Sequence, residues 1–354
     1  MKKSLVALAL TGAVFSAYAQ SSVVIYGTLD DGIIKRTGTT VQEGKRDNNK
    51  LGFKGVEDLG SGLKALFQLE IRFEPDTGTI ESVTRPLFQG QSRVGLQGSF
   101  GTLRLGRGLT AFQESITAFE PWSGMPTPAG FQTDLQVAGY VSTFGSGSDP
   151  LGPTGNSGNR FANSAFYNSP VLGNIFQINT TVGTKENDGS TVALIGRGTA
   201  AAPQFPAGAM GSVVPYSVSV TADNGPAAMM LAYERNEVDT KFWSVAASFK
   251  PLNELKLMAS YQQQDQTETV LTNPKTKAWL IGVNYSIGVG KILAGYGQKR
   301  PDNDFDNPAL VKTKQTSLGY EYNLSPRTYL YLEGTNKRMA TTLNYYAMGI
   351  HHNF

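Results

Sequence analysis

A strict alternation of apolar and polar residues recurs from one end of this 354-residue chain to the other. Along residues 63–73, alanine, phenylalanine, leucine and isoleucine occupy the odd positions, and mostly polar or charged residues occupy the even ones. Successive side chains of a strand point to opposite faces, so this period predicts two-faced β-strands. The pattern repeats in three further segments: 243–250, 279–285 and 317–324. The chain is therefore expected to be all-β.

The alternating segments predict a sixteen-stranded antiparallel β-barrel. Short connections alternate along the chain with longer polar or Gly/Pro-rich ones, which is typical of transmembrane barrels with short turns at one end and long loops at the other. After residue 20 no apolar run approaches the roughly 20 residues of a spanning helix. Only helices and closed barrels pair every backbone polar group inside a bilayer, so a closed barrel is the remaining way for this chain to span a membrane. The predicted strands are 22–33, 49–58, 62–74, 90–100, 102–109, 159–169, 174–184, 213–223, 227–237, 241–250, 254–265, 276–287, 290–299, 312–324, 327–338 and 341–354.

A soluble β-sandwich also alternates, so periodicity alone leaves that alternative open. Three observations favour the barrel. The polar faces are rich in Ser, Gln, Asn, Glu and Lys, which suits a water-filled interior. Aromatic residues lie near the ends of the apolar faces, where barrels carry aromatic girdles. Sixteen strands also enclose an aqueous channel, whereas eight leave room only for side chains.

The N-terminus predicts export. Residues 1–19 combine a basic start, an uncharged apolar stretch and a small-residue end, which is typical of a cleaved secretory signal peptide. The rest of the chain, 20–354, is the barrel domain. There is no cysteine, which excludes disulfides and cysteine metal sites. Because 31 lysines and arginines nearly balance 28 aspartates and glutamates, the charge does not indicate nucleic-acid binding.

Six short blocks in order resemble the general porins of Gram-negative bacteria, and most closely those of β-proteobacteria such as Burkholderia and Bordetella. The resemblance covers the whole chain, signal peptide included. The blocks are 21–32 (SSVVIYGTLDDG), 51–60 (LGFKGVEDLG), 63–70 (LKALFQLE), 100–107 (FGTLRLGR), 163–170 (NSAFYNSP) and 349–354 (GIHHNF).

The resemblance implies a trimeric outer-membrane channel for passive diffusion of ions and small hydrophilic solutes. It also implies that the third loop, here about 109–159, folds inward and narrows the pore. Phe354, the terminal aromatic residue, is expected to be read by the barrel-assembly machinery. Membrane lipid and lipopolysaccharide are the other expected partners, and no cofactor is implied.

Porins of this kind set basic wall residues against carboxylates on the inward loop, which produces a transverse field because low-dielectric walls focus field lines. Strand parity turns Lys50, Arg72, Arg93 and Arg104 inward. Arg107 matches a wall arginine of the family, but alternation would turn it outward unless a bulge intervenes. These five residues are the basic candidates for the constriction.

The acidic candidates are Glu70 on the wall, and Glu114 and Glu120 on the loop. Residues 119–124 (FEPWSG) are similar to the inward-loop signature of enterobacterial porins. The chain departs from the family at two places. Gly90 stands where relatives frequently have an arginine, and Phe166 and Tyr167 lie in a block where relatives usually have an arginine. Five basic candidates against three acidic ones predict a weak anion preference.

Other sites are disfavoured by spacing. The run 302–306 (DNDFD) resembles the start of a calcium loop, but its sixth position is Asn307 rather than Gly and its twelfth is Thr313 rather than Glu. His351 and His352, the only histidines, fall on opposite faces of the last strand and cannot grip one metal ion together. Nothing indicates catalysis. A substrate-specific channel with a saturable solute site remains the alternative to the general porin.

Overall fold

The structure is a computed structural model that describes residues 22–83, 85–132, 135, 159–184, 191–194, 197–199, 202–205, 208–211, 213–237, 239–265, 275–301 and 312–354. The predicted signal peptide, most of the predicted inward loop after residue 135, and the acidic run 302–306 lie outside these residues.

Sixteen long strands form one antiparallel sheet in the described part of the chain, as the alternation predicts. Their ends agree with the sequence-based bounds to within a few residues. The strands are β1 Ser22–Arg36, β2 Lys50–Gly60, β3 Leu63–Arg72, β4 Gln91–Gly98, β5 Gly101–Leu109, β6 Arg160–Asn168, β7 Phe176–Gly183, β8 Tyr216–Asp223, β9 Ala227–Arg235, β10 Lys241–Leu252, β11 Leu255–Asp265, β12 Lys275–Ile287, β13 Gly290–Pro301, β14 Thr313–Ser325, β15 Thr328–Arg338 and β16 Thr342–Asn353.

The sheet closes on itself through β1. Its first half pairs with β2, and its second half pairs antiparallel with β16, from Thr28 opposite Asn353 to Arg36 opposite Tyr345. The main chain of Phe354 continues this seam, because its N–H and C=O both bond to Gly27 at 3.1 Å. A short strand, Val41–Gly44, pairs antiparallel with residues 32–35 near the end of β1. Closure leaves no long strand with an unpaired edge, as lipid requires.

The two ends of the barrel differ in the length of their connections. Turns such as 61–62, 253–254, 288–289 and 326–327 join strands at one end, whereas the segments 37–49, 73–90 and 110–159 emerge from the other. Short turns face the periplasm and long loops the exterior in outer-membrane barrels. Two small hairpins in the fourth long connection pair 191–194 with 208–211 and 197–199 with 202–205.

Alternate residues divide the wall into an apolar outer face and an inner face. On β10, Trp243, Val245 and Phe249 are exposed, whereas Ser244 and Ala246 are buried. On β14 the outward residues run through leucine and tyrosine, and the inward ones include buried serine and glutamate. Among the described residues, no helix is long and apolar enough to cross a membrane.

The third loop begins with a short helix that lies against the inner face of the wall. Helix α1, Ala111–Ile116, is capped by Thr110, whose hydroxyl accepts from the Gln113 N–H, and is followed by a 3₁₀ turn, Thr117–Phe119. The N–H groups of Ala111 and Phe112 donate to wall hydroxyls on β7 and β8 at 3.0 and 2.8 Å. The wall thus satisfies donors that a helix N-terminus leaves unpaired.

Apolar side chains of the loop pack onto two patches of the inner wall. Phe112, Ile116 and Phe119 contact Met230, Ala232, Phe242 and Ala246 on β9 and β10. Further along, Trp122, Phe131 and Leu135 pack with residues of β12, β13, β15 and β16. The described part of the loop therefore lies against the inner wall from β7 to β16, and the described residues leave an open space beside β1 to β4.

Two wall glycines allow this close approach. A Cβ at Gly282 on β12 would lie 2.5 Å from Pro121 Cγ, and one at Gly295 on β13 would lie 2.5 Å from the ring of Phe131. Heavy atoms cannot pack that closely, so a side chain at either position would push the loop away from the wall. Because glycine has no side chain, the rings of Pro121 and Phe131 can pack directly against the main chain of the sheet.

Candidate pore constriction

An open space of about 760 Å³ lies between the loop segment 117–132, the wall of β1 to β4, and the first two long loops. Seven cations and seven carboxylates line it. The cations are Arg36, Lys45, Arg46, Lys50, Arg72, Arg85 and Arg160, and the carboxylates are Asp31, Glu43, Asp47, Glu70, Glu74, Asp76 and Glu81. The described residues on the loop side include Thr117, Ser123, Gly124, Met125 and Gln132, and among these described loop residues none is a carboxylate.

The loops above the strands contribute charges that largely neutralise one another. Lys45 Nζ lies 2.7 Å from Glu74 and 3.5 Å from Glu81. Arg85 lies 2.9 Å from the same Glu81. These pairs use two cations and two carboxylates. As a whole the loops contribute three cations and five carboxylates to the lining, so they carry a negative excess of two charges.

The strand ends below carry an excess of positive charge. Lys50 is the first residue of β2 and pairs directly with Arg72, the last residue of β3. Arg160 is the first residue of β6. Glu70 is the carboxylate among them, and its Oε1 lies 3.8 Å from Arg72 Nε. Arg160 Nε donates to the Gly90 carbonyl at 2.9 Å. Arg36 at the end of β1 and Asp31 on the same strand also line the cavity, so the strands present four cations against two carboxylates.

Glu70 is held by its surroundings. It is 7% exposed, and the Tyr26 hydroxyl donates to its Oε2 at 3.2 Å. A Cβ at Gly90 would lie 2.1 Å from Glu70 Oε1, so the glycine that replaces a frequent arginine makes room for this carboxylate.

Arg93, Arg104 and Glu114 form a separate cluster that does not line the cavity. Arg93 lies 3.0 Å from Glu114 Oε1 on the helix, and Arg104 lies 3.7 Å from Glu114 Oε2. Arg93 also donates to Gln68 at 3.2 Å, and Gln68 donates to Tyr26 at 2.8 Å. A continuous chain of polar contacts thus runs from the helix to Glu70. Ion pairing makes these three charges an anchor for the loop, and their role in the pore constriction stays a prediction.

Arg107 lies beside a register shift between Gly106 and Gly108, where the alternation of β5 is interrupted. Gly106 has a φ of 127°, a conformation that favours glycine. Arg107 Nε donates to the Gln89 carbonyl at 3.2 Å, at the root of the second long loop. The irregularity required by the sequence prediction is present, but Arg107 does not line the cavity described above.

Glu120 occupies a structural position rather than the predicted pore position. It is 1% exposed, and its carboxylate accepts from the N–H groups of Trp122, at 2.9 Å, and of Gly124 and Phe131. Burial is the largest influence on this group and raises the pKa of Glu120 to about 7, while the three N–H donors act in the opposite direction. The side chain closes the turn of the FEPWSG segment instead of facing permeating ions.

A buried arginine of the first long loop ties that loop to the wall and to the third loop. Arg46 has no exposed side-chain surface and lies 2.5 Å from Glu321 and 3.3 Å from Glu333. These carboxylates, with the nearby tyrosines, raise the pKa of Arg46 against the opposing effect of burial. Glu333 also accepts from Trp122 Nε1 at 2.8 Å. The first and the third long loop therefore both contact the Glu333 carboxylate.

A family model described as Gram-negative porin matches residues 4–341. The chain belongs to this family. Outer membrane porin protein 32 of Delftia acidovorans is 29% identical over 371 residues, which cover 99% of this chain and 94% of that protein. An outer membrane porin protein of Bordetella pertussis is 25% identical over 391 residues, which cover 95% and 94%. These β-proteobacterial relatives confirm the resemblance found in the sequence, and the porin is an outer-membrane protein.

Solved structures confirm the fold. An anion-selective porin from Comamonas acidovorans superposes with a TM-score of 0.75 at 22% identity, covering 95% of this chain and all of that one. The porin described here shares its closed sixteen-stranded architecture.

Sequence reasoning missed two parts of this porin's cavity. Arg160 lies near the start of the predicted strand 159–169, directly after the long loop, and was not named as a pore residue. Lys45 and Arg46 lie in a loop, and no pattern in the sequence orients them.

The two aromatic residues that hinted at a specific solute site lie elsewhere. Phe166 is buried beneath Arg93, with its ring centroid 5.4 Å from the guanidinium carbon. The Tyr167 hydroxyl donates to the Phe100 carbonyl at 2.7 Å, at the short-turn end of the barrel. His351 bonds to Asp30 and His352 to Thr328, and no group of metal-ligating side chains exists among the described residues.

Proposed function

We propose that the protein is a general diffusion porin, a trimeric water-filled channel with a weak preference for anions. Ions and small hydrophilic solutes move passively through the space between the inward loop and the wall of β1 to β4. The observation that carries the proposal is the open cavity on this one side of a barrel whose other side is filled by the loop.

The charge arrangement at the strand ends supports the anion preference. Lys50, Arg72 and Arg160 outnumber Glu70 there, and Glu114 and Glu120 are engaged away from the cavity. A ring of unbalanced positive charge in a narrow aqueous gap attracts anions and repels cations. The negative excess of the loop charges above opposes this attraction and keeps the preference weak. The anion selectivity of the Comamonas porin is consistent with this sign.

The trimer is supported by the family and by a trimer form of OmpT of Vibrio cholerae, which shares this fold with a TM-score of 0.63. Cleavage of residues 1–19, inward folding of the remainder of the loop to about residue 159, and reading of Phe354 by the assembly machinery are parts of the same proposal. Phe354 is 39% exposed at the barrel seam, where a binding partner could reach its ring.

Planar-bilayer recording tests the proposal. A general porin gives current that rises linearly with salt concentration, and a reversal potential of anion sign in a salt gradient. The substrate-specific alternative predicts saturation and block by one sugar or one organic anion. Saturable conductance with selective block would overturn the general porin, and a reversal potential of cation sign would overturn the proposed charge arrangement.

A further inference from the structure

An apolar patch faces the periplasmic vestibule, the part of the lumen between the constriction and the short-turn end of the barrel. Its members are Val24 on β1, Val56 on β2 and Leu66 on β3. Tyr26 and Gln68, two residues further along β1 and β3, hydrogen bond to one another inside the barrel, so strand parity turns Val24 and Leu66 inward as well. Val56 pairs directly with Leu66 and shares its face. Val24 is 46% exposed and Val56 is 37% exposed, so the patch meets lumen water.

Apolar residues in this position are unlike the rest of the inner wall at the same level. On the opposite side of the barrel, the inward residues near the short-turn ends of β10, β12 and β14 are Ser248, Ser286 and Asn323. The interior of such a barrel is polar because it holds water. Aliphatic side chains on three adjacent strands therefore indicate a surface suited to apolar groups of a solute.

The ring of Tyr26 extends the patch toward the constriction. It lies across Gly52 on β2, where a Cβ would collide with the ring, and its hydroxyl donates to Glu70 at 3.2 Å. Neighbouring strands lie about 4.8 Å apart, and successive residues on one face of a strand lie about 7 Å apart. From Tyr26 to Val24, and across to Leu66, the patch therefore measures about 7 Å by 10 Å. A short alkyl chain or a single aromatic ring fits this area.

Two lysines border the patch. Lys54 is directly opposite Val24, and its Nζ lies 5.2 Å from the centroid of the Tyr26 ring. Lys64 lies two residues from Leu66 on the same face of β3. Both lysines are exposed, and in the described part of the chain neither forms an ion pair. Their ammonium groups can therefore meet an anion from the lumen.

A carboxylate opposite Lys64 leaves this border positive. Asp58 is the direct cross-strand partner of Lys64, and its Oδ1 accepts from the Gly60 N–H at 2.8 Å in the turn. Together with Lys54, the border carries two cations against this one carboxylate among the described residues.

We propose that this patch, together with Lys54 and Lys64, is a transient binding site for small amphipathic organic anions, namely carboxylates with a short alkyl or aromatic body. The inference rests on the proposed diffusion function and names a class of solutes for it. The carboxylate meets the lysines, and the hydrocarbon body lies on Val24, Val56 and Leu66, which removes apolar surface from water.

Chloride current in planar bilayers, recorded with acetate, butyrate or hexanoate on both sides, tests the site. A bound carboxylate adds negative charge below the constriction and reduces the current. We expect the half-blocking concentration to fall about twofold per added methylene, or about sixteenfold from acetate to hexanoate, since one side of the chain stays in water. Hexanamide, which carries no charge, should have little effect. This graded action across a class differs from selective block by one solute.

Two variants separate the apolar part of the site from the charged part. Val56→Thr, Leu66→Asn keeps the charge and approximate size of the side chains, and should flatten the series to within about threefold. Lys54→Gln should weaken all three carboxylates by about threefold and keep the dependence on chain length. The control Lys250→Gln removes an exposed cation near the short-turn end of β10, on the opposite wall, and should leave the series unchanged.

A dependence on chain length that persists in Val56→Thr, Leu66→Asn would overturn the site. An equal loss in Lys250→Gln would also overturn it, because any vestibule cation would then suffice. A flat series beside a linear chloride current of anion sign removes this site alone. A chloride current that saturates without carboxylate, or a reversal potential of cation sign, removes the proposed function instead. Heat-modifiable electrophoretic mobility confirms that each variant has folded.

Discussion

Neutralising two cavity cations, Lys50 and Arg72, should change the ion preference of the channel. The double variant Lys50→Gln, Arg72→Gln leaves Arg36 and Arg160 as the strand-end cations of the cavity. Arg72 Nε lies 3.8 Å from Glu70 Oε1, so its loss also exposes the negative charge that it partly offsets. We expect the preference to move toward cations.

The size of the effect follows from Coulomb's law. A unit charge at about 6 Å from a permeating ion contributes about 0.7 kcal/mol in water-like surroundings, and screening at moderate salt reduces the combined effect of two charges to a similar value. That free energy acts with opposite signs on an anion and a cation, so the anion-to-cation permeability ratio should change by about 1.4 kcal/mol, which is about tenfold. For a weakly selective channel in a tenfold salt gradient, a change of that size moves the reversal potential by about 45 mV.

The assay is the reversal potential of single channels in neutral lipid. The control is the variant Lys314→Gln, Arg338→Gln, which removes the same charge from the outer wall and should leave the reversal potential unchanged. A shift below about 5 mV in the cavity variant, or an equal shift in the control, would refute the assignment of the field to the strand-end cations.

Three further predictions concern the loops. Gly282→Val should push the third loop off β12, and should raise current noise or alter conductance in single-channel records; unchanged records would contradict the close packing seen there. Arg46→Met leaves the buried Glu333 without this cationic partner and should lower the free energy of unfolding by about 3–5 kcal/mol. The loss should appear as a lower temperature at which heating changes the electrophoretic mobility. Burial raises the pKa of Glu120 to about 7 from 4.5, so the folded state holds this proton more tightly than the unfolded state. The resulting stability, up to about 3 kcal/mol, is present below pH 4.5 and lost as pH rises through 7. Glu120→Gln should flatten this pH dependence of thermal stability, and an equal slope in both proteins would contradict it.

The wall was predictable from sequence because the period of two is a direct consequence of strand geometry. Each outward residue meets lipid, and the pattern therefore repeats in every strand regardless of its neighbours. For Arg107 the sequence left two ways to an inward position, a bulge or the end of the strand, and the structure has a register shift between Gly106 and Gly108.

The interior was harder to predict, because it depends on where one loop rests. Glu114 and Glu120 carry the right charge and position in sequence for a pore role. The contacts that bind them, to Arg93 in one case and to main-chain N–H groups in the other, are made only after the loop packs. Arg46 lies outside the predicted strands and Arg160 at the start of one, and only the tertiary fold shows that Arg46 is buried against Glu321 and Glu333 and that Arg160 lies at the cavity.

Cysteine accessibility tests the central claim most directly, since the chain contains no cysteine of its own. Gln91 lines the cavity, and Val94, three residues along the same strand, is 61% exposed on the outer face. In bilayers, a charged water-soluble thiol reagent should reduce the current through Gln91→Cys and leave Val94→Cys unaffected, whereas a lipid-soluble reagent should label Val94→Cys. Equal reaction of both positions with the water-soluble reagent would contradict a barrel with water inside and lipid outside.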